Sequence, residues 1–358
     1  MTDKKQNEVS ESKEIPHEIN SVSDLSKILQ TLGEPEKGHT RFFRGHGDEG
    51  WQMLPSIYRE NYLIENEDKI IKDTLTYCPD DFFPSDTLFE KLVKLQHYGC
   101  YTRLLDLTTN ALVALYFAAS PYSNKDGELI ILDIPDTEIK YGDSDTVAIL
   151  SAISLRPSTF KISDAIDLAN GYKHLTEYEY NGIFKNIPSS SNEDEFKKHM
   201  GEKGNLDFHT YSELITIPIQ RRVTEEGKKA FLACLNSNED MLSLLHDIQT
   251  DKPSFRPVIE PSDLQRVICV RAKLNNARIS RQQGCFLIFG IKDNKTEAAA
   301  IPAEWHPSAL KNQKILVKAE SKSTIRQELQ SFGISKRTLF PELEAQAKEI
   351  MDYYKGQK

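Results

Sequence analysis

Three short stretches of this chain group side chains able to hold a charged small molecule. The first is Phe42-Phe43-Arg44-Gly45-His46-Gly47, where an aromatic strand delivers an arginine to its end and breaks into a glycine turn. A guanidinium is planar and presents its donors as a fixed fork, which suits it to a bidentate hold on phosphate. Gly45 and Gly47 let the backbone come close to a ligand. An ordinary strand edge with a surface arginine accounts for the same residues.

The second stretch is denser. Gln96-His97-Tyr98-Gly99 leads into Thr102-Arg103-Leu104-Leu105-Asp106-Leu107-Thr108-Thr109-Asn110, and then into an alanine-rich helix carrying Tyr116 and Phe117. Alternation from Tyr101 to Thr109 predicts a strand with Thr102, Leu104, Asp106 and Thr108 on one face and Arg103, Leu105 and Leu107 on the other. Polar groups on such a face must be hydrogen-bonded, solvated or lining a pocket. Asp106 paired with Arg103 or Arg44, and threonines capping the next helix, satisfy them without a ligand. His97 is a conceivable general base, though the helix dipole alone favours a histidine at a helix C-terminus. In the third stretch, Arg278 to Phe286, the amides of Gln282 and Gln283 can meet a ribose, a base or the backbone, and a glycine bulge opening a strand explains them equally.

The elements that must position these residues read clearly in places. Ser21 caps a helix carrying Leu25, Ile28, Leu29 and Leu32 and closed by Gly33. Thr87 and Glu90 form a capping box for a helix with Leu88, Leu92 and Leu95 on one face, ended by Gly99. Asn110 caps the helix over Ala111 to Ala119, which Pro121 stops. Strands are predicted at 128–134, 267–271 and 284–290. Thr324 and Gln327 suggest a second capping box, with Ile325, Leu329 and Phe332 on one stripe; a last helix from Phe340-Pro341 should bury Leu343, Ala347, Ile350 and Tyr354. Residues 1–19 have almost no apolar content and read as a disordered tail. The less regular stretch 136–255, with its polar run at Ser189 to Asp194, reads as helices and loops inserted into a single domain over 20–358. These elements predict an α+β fold: a split, mainly antiparallel sheet with flanking helices.

Composition narrows the partners. Among 358 residues, 45 Lys and Arg face 54 Asp and Glu, for a net charge of −9. That balance argues against extensive contact with nucleic acid or anionic membrane, while leaving room for a local basic pocket. No stretch approaches the roughly 18 apolar residues of a membrane span, and the N-terminus lacks the apolar core of a signal peptide, so a cytoplasmic location is expected. Five widely spaced cysteines without a C-x-x-C pair suggest neither disulfides nor structural zinc, and nine histidines show no ligand spacing. No P-loop, G-x-S-x-G, H-E-x-x-H or dinucleotide-binding glycine fingerprint occurs.

Together, Phe43-Arg44-Gly45, the Gln96 to Thr108 block, the Ala114 to Ala118 helix and the Arg278 to Phe286 block resemble the FRG domain, named for its F/Y-R-G motif, across roughly residues 22–345. The resemblance implies that the three blocks meet in one site. Arg44 at a strand end, followed by the Thr108-Thr109 strand and its helix, also resembles ADP-ribosyltransferases of the Arg-Ser-Glu type. That likeness implies an ADP-ribosyltransferase-like sheet and NAD as substrate, with Arg44 on the NAD phosphate or ribose and Thr108 and Thr109 shaping the nicotinamide pocket. Where the type has a glutamate, this chain has Gln282-Gln283-Gly284; a neutral amide can hold a ribose hydroxyl but cannot stabilise developing positive charge, leaving Asp106 as the available carboxylate. The implied catalytic set is Arg44, Asp106, Thr108 and Gln283, with Gly45, His97, Tyr98, Arg103, Thr109 and Tyr116 around a small phosphate-bearing ligand such as NAD. The implied role is a toxin-like effector in bacterial conflict or phage defence that modifies an unassigned macromolecular acceptor. A non-catalytic nucleotide sensor uses the same residues. An enzyme acting on nucleic acid would draw on Arg271, Lys273, Arg278 and Arg281.

Overall fold

The computed structural model describes residues 15–120, 124–185, 208–273, 276–311 and 313–355. Eight strands form one sheet in the order β1-β8-β4-β2-β3-β7-β6-β5. They are β1 (Glu18–Ile19), β2 (His39–His46), β3 (Leu104–Thr108), β4 (Gly127–Pro135), β5 (Ile139–Tyr141), β6 (Val267–Arg271), β7 (Gly284–Phe289) and β8 (Ile315–Val317). Only the outermost pairs, β1 with β8 and β5 with β6, are parallel. The fold is therefore the expected α+β type with a mostly antiparallel sheet. The order β2-β3-β7 sets the strands of all three motif blocks side by side.

The sheet has a seam. β2 pairs with β4 over its whole length, from His39 opposite Pro135 to His46 opposite Glu128, and β3 pairs with β7 over five residues. β2 and β3 are joined by one register pair, Phe43 opposite Thr108. The helices divide along the same line. The Val22–Leu32, Ala111–Ala118 and Lys322–Ser331 helices pack with Phe43, Leu129 and Ile131, while the Leu88–His97, Asp145–Ala152 and Glu239–Asp251 helices pack with Leu104, Phe286 and Ile288. The other face of the sheet, carrying Phe42, Leu105, Leu107 and Leu287, packs against Trp305. Asp106 and Thr108 share their face with Phe286 and Phe43, so both stand at the seam.

The glycine of the Phe43-Arg44-Gly45 motif has a packing reason. A Cβ at Gly45 would lie 1.9 Å from the Ala114 carbonyl oxygen, and one at Gly127 would lie 2.1 Å from that of Ala118. The alanine helix thus rests directly on the backbone of β2 and β4. Gly45→Ala must push rigid backbone apart, and overpacking of this kind costs about 1–3 kcal/mol or more. Its melting temperature is expected to fall by about 1–4 °C or more. A thermal melt unchanged from wild type would contradict the close approach.

Several sequence expectations hold. Ser21, Thr87 and Asn110 cap their helices, Thr87 with Glu90 as a full capping box, and Gly33, Gly99 and Gly333 have positive φ. Others change. The tail expected over 1–19 lies mostly outside the described residues, but Ile15 and Ile19 are buried and Glu18–Ile19 pairs with β8. Within 136–255, Ile139–Tyr141 joins the sheet as an edge strand. The helix expected to start at a Thr324 capping box starts at Lys322 without a side-chain cap. Phe332 is exposed, and the stripe assigned to the interior of the last helix faces outward, with Leu343 86% exposed and Tyr354 63%. Pro121 and the Ser189 to Asp194 run lie outside the described residues.

Candidate functional site

Past the Phe43–Thr108 pair the two strands have no further register partners, and Arg44 bridges them. Its Nη1 donates to the Asp106 carbonyl oxygen at 2.6 Å, and its Nε donates to His46 Nε2 at 2.9 Å. His46 lies two residues on and so on the same side of β2. Because Nε2 accepts, the imidazole is neutral with its proton on Nδ1. Burial, and then the positive charges of Arg44 and Arg59, push the His46 pKa down to about 3. Burial lowers Arg44 to about 10 against the opposing pull of Asp106, which leaves it cationic at neutral pH. A neutral histidine thus orients a charged arginine without competing with it.

A cavity of about 350 Å³ opens here. Its lining includes Arg44, Gly45, Gly47, Trp51, Asp106 and Thr108 together with Phe117, Arg278 and Gln282. Asp106 is its one carboxylate among the described residues and is exposed. Its Oδ2 accepts from Gln96 Nε2 at 2.9 Å, and the Thr102 hydroxyl donates to Gln96 Oε1. This relay explains the polar face of β3 and fixes the carboxylate. Arg278 stacks over Phe340 with 4.6 Å from its guanidinium carbon to the ring centroid, and Phe340 meets Phe117 edge-on.

Other predicted site residues are placed differently. The Thr108 hydroxyl donates to the Gln282 carbonyl at 2.7 Å and accepts from the Asn110 amide at 3.0 Å, so it ties β3 to the next elements and has no proton left to donate to a ligand. Gln283 caps the Ala277–Gln282 helix in the left-handed region, φ 48° and ψ 44°. That turn separates the two glutamines: Gln282 lines the Arg44 cavity, whereas Gln283 and Thr109 line another, of about 850 Å³, with Phe42 and Arg271. Arg103 is not brought to either cavity. It is fully buried, its Nε donating to Glu67 Oε1 at 3.0 Å and its Nη1 to the Phe289 carbonyl at 3.0 Å. His97 Nε2 lies 2.9 Å from Glu342 Oε1, with burial and then Arg278 holding its pKa down. Tyr98 is exposed and meets His97 edge-on, and Tyr116 lines a third cavity beneath Arg326. Neither His97 nor Tyr98 nor Tyr116 lines the Arg44 cavity.

Sequence reasoning names His46 and Phe117 within the motif stretches without giving them a role and does not reach Trp51. The signal for His46 is its spacing of two from Arg44; Gln96 stands in its motif block without an assigned role, whereas Gln282 is read there as an amide for a ribose, a base or the backbone and Arg278 as a cation for nucleic acid. Among the described residues no group of three His, Cys, Asp or Glu side chains could hold a metal ion, and no helix is long and apolar enough to cross a membrane. Residues 39–127 match the FRG domain family model. An FRG domain is therefore present, and its matched part carries Arg44, His46, Asp106 and Thr108 but not Arg278 or Gln282. No curated protein matches the chain, and no solved structure does.

Proposed function

We propose that the FRG domain of this chain binds a small phosphate-bearing ligand, a nucleotide such as NAD, with Arg44 and Arg278 on the phosphate. The observation that carries this reading is the fixed pose of Arg44. Two of its N–H donors are held by His46 and the Asp106 carbonyl, and the other three have no partner among the described residues. Such a preoriented cation loses little freedom when an anion arrives. Trp51 and Phe117 add flat apolar surface, and about 350 Å³ suits a small ligand better than a polymer. Thermal-shift measurements across nucleotides and NAD are expected to show stabilisation that disappears in Arg44→Ala. Flat curves for wild type across the panel would remove the reading.

A second reading, transfer of ADP-ribose from NAD, rests on Asp106 as the carboxylate of this cavity. Breaking the ribose–nicotinamide bond releases neutral nicotinamide and leaves positive charge on the ribose, which a carboxylate stabilises. An acceptor nucleophile then bonds to the ribose carbon and gives up its proton. With the Thr108 proton already donated and Gln283 on the other cavity, Asp106 and Gln282 take the supporting positions on this reading. A toxin-like role in bacterial conflict or phage defence belongs to this reading alone. Release of nicotinamide from NAD, lost in Asp106→Asn while nucleotide binding persists, would support it.

A further inference from the structure

We infer that the chain carries a second anion site, a cavity for a compact polyphosphate between the Ala111–Ala118 helix and the C-terminal helices. This space, of about 1100 Å³, is lined by Lys322, Arg326, Lys336 and Arg337, with Glu349 as its one carboxylate among the described residues. Four cations around one void is an unusual grouping in a chain of net charge −9. Like charges held together repel, and an anion between them relieves that repulsion.

The cations are not all committed elsewhere. Lys322 Nζ donates to the Gly47 carbonyl at 2.7 Å, and Lys336 lies 3.1 Å from Glu349. Among the described residues no carboxylate pairs with Arg326 or Arg337. Arg326 lies over the Tyr116 ring at 5.6 Å and hydrogen-bonds the Tyr116 side chain, which engages part of the guanidinium and leaves its other donors for phosphate oxygens. Helical spacing sets Lys322, Arg326 and Gln330 along one stripe of the Lys322–Ser331 helix, beside the stripe of the buried Ile325 and Leu329, and Lys322 is itself buried. Cations supplied by two helices across a wide space match an anion with several charges. Tyr116, Ile350 and Tyr354 add flat and apolar wall to this cavity, which matches a small body instead of a strand.

This cavity is separate from the one at Arg44. The alanine helix divides them, with Tyr116 lining one and Phe117 the other, and Lys322 touches both through Gly47. The site therefore does not depend on the function proposed for Arg44.

The test is calorimetric titration with inorganic tripolyphosphate at low salt, in the Arg44→Ala protein so that the first cavity is silent. Binding is expected there, and it should weaken at least tenfold when Arg326→Ala and Arg337→Ala are added. Arg337→Ala alone, at an exposed position, should give a smaller loss of the same sign. Thermal melts check that each variant is folded. Absence of binding to the Arg44→Ala protein, or undiminished binding after both arginines are removed, overturns the site. A failure of nucleotides to stabilise wild type through Arg44 would leave this result unaffected.

Discussion

Glu67→Ala is expected to lower folding stability by about 3–5 kcal/mol, the scale found when one partner of a buried ion pair is removed. Glu67, Arg103 and Lys295 are all fully buried. The Glu67 carboxylate accepts from Arg103 through Nε and Nη2 and lies 3.4 Å from Lys295 Nζ. Without it two cations remain in the interior facing one another. Lys295 can relieve this by losing its proton, since burial already lowers its pKa to about 8 and Glu67 is the group that holds it up. The deficit of the variant should therefore shrink as pH rises. Replacing Glu67, Arg103 and Lys295 together with methionine should recover much of the loss. Urea unfolding measures each; a loss below about 1 kcal/mol for Glu67→Ala would contradict a structural role for the cluster.

The other large effect is on pH dependence, and it runs through His46. The unfolded chain protonates this histidine near its ordinary pKa of 6.5, whereas the folded chain does not until about pH 3. Between those values the unfolded state binds the additional proton, so stability falls as pH falls through the window, by up to about 1.4 kcal/mol per pH unit. Protonation would also turn the Nε2 acceptor into a donor facing Arg44. His46→Gln, which keeps an acceptor but does not titrate, should show a shallower loss of stability between pH 6.5 and 4. Carboxylates titrate in both proteins, so the difference between the two profiles is the readout. Parallel profiles would contradict the buried neutral imidazole.

Much of the site's frame was legible in the residues themselves. The alternation of β3, the caps at Thr87 and Asn110 and the apolar runs of β4, β6 and β7 are patterns that local physics enforces, and the structure has them. β1, β5 and β8, of two or three residues each, are too short to carry a period, and their pairing is set by distant segments. Arg103 illustrates a different limit. Its alternation put it opposite Asp106 correctly, but its buried partner Glu67 stands 36 residues earlier with no local signature. The exchange of Gln283 for Gln282 in the cavity follows from one left-handed residue, which a non-glycine side chain does not announce. At the C-terminus, an amphipathic stripe predicted burial that the packing does not provide.

The division of labour within the Phe43-Arg44-Gly45-His46 run is the more general result. Phe43 joins β2 to β3, Gly45 admits the alanine helix, His46 orients the guanidinium, and Arg44 spans the seam. Three of the four residues thus serve to position the remaining one. Asp106 enters twice, its backbone oxygen holding Arg44 and its carboxylate held by Gln96.

The most direct test of this account is a crystal structure of the protein grown with a nucleoside diphosphate. A phosphate within about 3 Å of the Arg44 guanidinium, with Arg278 on the same anion and His46 still accepting from Arg44 Nε, is the expected result. A well-ordered nucleotide bound elsewhere while the Arg44 cavity holds only solvent would contradict it.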